Sequence, residues 1–70
     1  MKSIYDVQQL LKQYGTIIYI GDRLADLDLM ESELSELYQA KLIEPREYST
    51  ALLILRHEIR FLREKEEKDR

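Results

Sequence analysis

Tyr48, Leu52, Leu55, Ile59 and Leu62 recur at spacings of 4, 3, 4 and 3, the repeat of one face of an α-helix. Such a stripe must be covered by other apolar side chains, and a chain of 70 residues has room for only one core in which to do it. The same periodicity appears twice more. Ile4, Val7, Leu11 and Tyr14 form one stripe, and Leu24, Leu27, Met30, Leu34, Leu37 and Tyr38 form another. Composition agrees, because 44% apolar and 36% charged residues with two glycines and one proline suit a helical domain and argue against disorder or an all-β fold.

Punctuation between the stripes sets the boundaries. Ser3 is a natural N-cap, with Asp6 three residues on as a short capping box, and Gly15 suits the position just past a helix end. Leu42-Ile43-Glu44-Pro45 breaks the second helix and starts the third, since the residue before proline avoids the α region and proline fits the first helical position. Glu44 and Glu47 then lie at the positive end of that helix's dipole. Helices are expected over about 3–14, 22–40 and 45–66, with a charged tail over 64–70. The chain is therefore expected to be all-α, a small three-helix up-down-up bundle in a single domain covering residues 1–70. Residues 16–21, Thr-Ile-Ile-Tyr-Ile-Gly, read locally as a strand. A lone strand has nothing to pair with, so helix or turn is expected there, with Ile17 and Ile20 in register with Leu24 and Leu27.

The longest apolar runs, Ile17–Ile20 and Ala51–Leu55, fall far short of the roughly 20 residues a bilayer requires. The polar N-terminus lacks the apolar core of a signal peptide, so the chain reads as cytoplasmic and not membrane-bound. A net charge of −3 gives no general attraction for nucleic acid. The charge is unevenly spread, however. Through residue 43 four basic residues face seven acidic ones, while from residue 44 onward the two signs balance at seven each.

The segments Ile4-Tyr5-Asp6-Val7-Gln8-Gln9-Leu10-Leu11-Lys12-Gln13-Tyr14-Gly15, Ile18-Tyr19-Ile20-Gly21-Asp22-Arg23 and Leu29-Met30-Glu31-Ser32-Glu33-Leu34-Ser35-Glu36-Leu37-Tyr38 resemble the YqgQ-like family of short bacterial proteins, over about residues 4–62. The resemblance implies a cytoplasmic three-helix bundle of no established biochemical role. It carries over no catalytic residue.

Catalytic and metal-binding patterns fail one by one. His57-Glu58 is followed by Phe61 where a zinc-binding helix would place its second histidine, and the chain has no cysteine. Gly15 and Gly21 lack the Gly-Lys-Ser/Thr of a phosphate loop, and Asp26, Asp28 and Glu31 are interrupted by apolar residues and lack the turn glycine of a calcium loop. No enzyme activity, metal, cofactor or small-molecule substrate is expected.

Two features of the third helix point to binding. Arg56, Arg60 and Arg63 line one stripe, where like charges repel unless carboxylates or phosphates compensate them. Carboxylates of the second helix or of the tail are one answer. The other is single-stranded nucleic acid, gripped at its phosphates by the arginines and stacked on Tyr5 or Tyr19, with Tyr14, Tyr38 and Tyr48 at the core edge. The second feature is Ile54, His57 and Phe61, an additional stripe rotated away from the core seam. It is absorbed between two neighbouring helices or else anchors a protein partner or a second copy of the chain.

Overall fold

The computed structural model describes residues 1–68, with side chains through Lys65. Three helices form: α1 (Ile4–Gln13), α2 (Arg23–Gln39) and α3 (Pro45–Lys68), with no strand among the described residues. The part of the charged tail at residues 69 and 70 lies outside them.

Each helix ends as its local chemistry dictates. Asp6 accepts hydrogen bonds from the backbone N–H groups of Lys2 (2.8 Å) and Ser3 (3.2 Å), closing the expected box at the start of α1. At its other end, Thr16 N–H donates to Leu11 C=O and Gly15 N–H to Lys12 C=O, with Gly15 at φ +82°: a Schellman turn. The end of α2 repeats it, Leu42 N–H to Leu37 C=O and Lys41 N–H to Tyr38 C=O, but the residue in the left-handed conformation is Lys41 at φ 61°. Asp22 caps α2 through Ala25 N–H at 3.1 Å. Glu47 accepts the N–H of Glu44 at 3.2 Å before α3.

α2 and α3 are an antiparallel hairpin. Arg23 meets Glu58 at 3.8 Å near one end, and the rings of Tyr38 and Tyr48 stack 4.5 Å apart and 7° from parallel near the turn. α1 runs with α2 and against α3. The Tyr14 hydroxyl at the end of α1 donates to Leu42 C=O just past the end of α2, at 2.9 Å, and Ser3, Ile4 and Tyr5 share a cleft with Arg23 at the start of α2. The all-α three-helix reading holds, but its alternating up-down-up order becomes up-up-down.

The cause is the segment expected to be helix or turn. Residues 16–20 form no helix and instead return along α1, sharing a groove with Gln8, Gln9 and Lys12. At roughly 3.3 Å per residue the Gly15–Asp22 strap reaches about 26 Å, matching the rise of about 25 Å along α2. Asp26 steadies it by accepting the N–H of Ile20 at 2.8 Å. Ile18 alone of the three isoleucines packs on the core. Ile17 and Ile20 are exposed, against the expectation that they continue the α2 stripe.

The core holds Val7, Leu10 and Leu11 of α1, Leu27, Met30, Leu34 and Leu37 of α2, Ile43 of the turn, and Ala51, Leu55 and Ile59 of α3. No polar or charged residue is buried among the described residues.

Candidate interaction surface

With 100° between successive helical residues, the stripes of α3 can be placed around its axis. Taking His57 as zero, the core residues Ala51, Leu55 and Ile59 lie on the far side. Arg56, Arg60 and Arg63 occupy one flank, and Ile54 and Phe61 incline toward the other, roughly 140° away. All three arginines are exposed.

On the arginine flank, Arg56 Nε donates to Glu31 Oε1 of α2 at 3.4 Å. One arginine of the stripe is thus compensated by the acidic face of the neighbouring helix. Among the described side chains, which end at Lys65, no carboxylate lies within 4 Å of Arg60 or Arg63. The two tyrosines assigned to base stacking lie elsewhere. Tyr19, 87% exposed, sits on the strap beside the groove lined by Gln8, Gln9, Lys12 and Met30. Tyr5, 65% exposed, faces the opposite flank of α3 from the arginines. The five residues do not gather on one surface.

What α1 and α3 do assemble is a shallow cleft lined by Ile4, Tyr5, Arg23, Leu53, Ile54, His57 and Glu58. Its geometry follows from the short first helix. α1 begins at Ile4 beside Ile54 and His57, so the part of α3 beyond them is not covered by it. Ile54 is half-buried with its inner side on the core, which consumes part of the predicted stripe. His57 remains exposed. Phe61, one turn further on, is 56% exposed. Leu53, which the sequence reading passed over as one member of the Ala51–Leu55 run, is 71% exposed. Its signal was available, since it precedes His57 by four residues as Phe61 follows it by four. The Arg23–Glu58 pair sits at the rim, and Lys2 also lines the cleft, leaving a small excess of positive charge there.

Among the described residues no three His, Asp or Glu side chains come close enough to hold a metal ion, and no helix is long and apolar enough to cross a membrane. The Lys2 N–H holds the Asp6 carboxyl below its ordinary pKa against an opposing desolvation, with further help from the Ser3 N–H.

Comparison with known proteins extends the resemblance read over residues 4–62. The chain matches the YqgQ-like family over residues 1–61. It is 46% identical over 59 residues to a Bacillus subtilis (strain 168) protein described as "Uncharacterized protein YqgQ", covering 84% of this chain and 83% of that one.

Proposed function

The chain belongs to the YqgQ-like family, and from the geometry of its α1–α3 cleft we propose that it is a cytoplasmic protein-interaction module that works by binding and not by catalysis. The observation that carries this reading is the grouping of Tyr5, Leu53, Ile54 and His57 in one cleft, with Leu53 71% exposed and Phe61 56% exposed on the same side of α3. Isolated apolar residues on a surface need no explanation, but aromatic and aliphatic groups around a common depression are the composition of an interface centre. Affinity capture from a bacterial lysate tests the proposal, using the wild-type chain and a Leu53→Glu variant of unchanged helicity. The expected result is a partner held by the wild type and lost with Leu53→Glu. An identical captured set from the two proteins would overturn the reading.

A second reading draws on Arg60, which is exposed and has no carboxylate within 4 Å among the described side chains, and on exposed Arg63 beside it. They are available to phosphates of a single-stranded nucleic acid without help from Tyr5 or Tyr19. Fluorescence anisotropy of a labelled single-stranded oligonucleotide then shows saturation that weakens as salt rises and disappears in Arg60→Glu. Flat anisotropy at low salt removes this reading.

A further inference from the structure

We propose that the groove between α1 and the strap takes a short extended peptide of a partner protein, added edge to edge along Thr16–Ile20, with an acidic side chain of that peptide on Lys12. This groove shares no lining residue with the α1–α3 cleft, so the inference stands apart from the reading of that cleft.

The backbone of the strap points to this occupant. Because it must pass the length of α2, the strap is drawn out nearly straight, a conformation that suits its β-branched and aromatic residues. Thr16 N–H donates to Leu11 C=O and Ile20 N–H to Asp26. Between them, the N–H and C=O groups of Ile17, Ile18 and Tyr19 have no hydrogen-bond partner among the described residues. In extended backbone these groups alternate between the two edges, so the edge along the groove carries unmet donors and acceptors whichever residues supply it. A second extended backbone is what satisfies such a row. Edges that must stay unpaired are commonly guarded by charge or proline, and Thr16–Ile20 contains neither.

The rest of the groove matches. Buried Leu11 and Met30 form its floor, and exposed Gln8, Gln9 and Lys12 of α1 line it with the strap. An incoming strand lies between an extended edge and a helix, its inward side chains over the apolar floor and its outward ones beside Ile17 and Tyr19. A carboxamide offers both a donor and an acceptor, so the two glutamines suit the polar groups on the strand's far edge. Among the described residues Lys12 is the one charged group lining the groove. It has no carboxylate within 4 Å among the described side chains, which selects an acidic segment over a basic one. The strap of a second copy does not fit, because its Ile18 is packed on that copy's own core.

Panning phage-displayed random heptapeptides on the full chain supplies the probe, and a fluorescein-labelled synthetic copy of the selected peptide is titrated by anisotropy. The expected peptides carry β-branched or aromatic residues at alternate positions and an Asp or Glu, and bind with a Kd of about 1–100 µM. Lys12→Glu, with unchanged far-ultraviolet dichroism, weakens binding by about 10-fold or more. Amide exchange at one or more of Ile17, Ile18 and Tyr19 slows by about 10-fold or more in the saturated complex. Methylating alternate backbone nitrogens of the peptide abolishes binding for one set of positions and weakens it far less for the other. Failure of any sequence to enrich overturns the proposal. So does a selected peptide indifferent to Lys12→Glu, or one that leaves exchange of all three strap amides unchanged. A peptide lost with Leu53→Glu but kept with Lys12→Glu lies in the α1–α3 cleft, so the strap inference falls and the reading of the cleft stands. Sedimentation equilibrium covers the remaining occupant: a dimer of the chain dissociated by Tyr19→Glu makes the strap a self-association edge and overturns the proposal.

Discussion

The α2–α3 hairpin and the α1-plus-strap unit are held by different means. The hairpin closes over a continuous seam from Leu27 through Ile59, joined by a tight turn in which Ile43 is buried. α1 adds Val7, Leu10 and Leu11 to that core, and its strap adds Ile18 while Ile17, Tyr19 and Ile20 face solvent. Direction of attachment differs as well. Antiparallel neighbours need only a short turn, whereas α1, running with α2, requires a connection as long as the helix it passes. The lesson is that a small bundle can contain one part defined by periodic burial and another defined by a few point contacts.

The largest test of that contrast is Leu55→Ala in the hairpin. Leu55 is fully buried, and its truncation is expected to destabilise the whole domain by about 3 kcal/mol, seen as a lower urea midpoint with an unchanged slope. Tyr14→Phe acts on the other unit. It removes the hydroxyl that ties the end of α1 to Leu42 C=O and is expected to cost about 1 kcal/mol. Amide exchange should then accelerate in α1 and the strap and stay slow in α2 and α3; uniform acceleration would show that the units are not separable.

The smallest effect is expected from Asp6. Its folded-state pKa is depressed, so its contribution is present above the ordinary aspartate value near 3.9 and is lost as pH falls through the folded value. Asp6→Asn should flatten the acid limb of α1 protection while leaving the hairpin unmoved. Equal acid sensitivity in the two proteins would assign that limb to other carboxylates.

Sequence reasoning reached the parts that repeat. The three helices, the Ser3–Asp6 start, the Gly15 stop and the Pro45 restart are written in spacing and in residues with strong local preferences. The second stop is harder to read because Lys41, which has no preference for φ > 0, occupies the place glycine takes at the first. Strap conformation was illegible for a different reason. Thr16–Gly21 is β-branched and aromatic in composition, but what holds it is Asp26 on α2 and the groove beside Gln8 and Lys12, neither visible from the segment itself. The direction of α1 was lost with it.

The candidate surface divides in the same way. Compensation of the arginine stripe by the acidic face of the second helix was foreseeable, but the choice of Glu31 for Arg56 spans 25 positions and depends on how the hairpin packs. Ile54, His57 and Phe61 were legible as a stripe, and Leu53 was legible by the same four-residue spacing to His57, although its exposure is seen only once the helices are packed.

The Tyr38–Tyr48 stack joins the last turn of α2 to the first turn of α3, in a chain that contains no tryptophan. Two phenol chromophores 4.5 Å apart couple electronically, so the protein carries a built-in optical gauge of whether its hairpin is shut. Near-ultraviolet dichroism will follow that junction without any label, and loss of the α1 attachment alone will leave the signal in place.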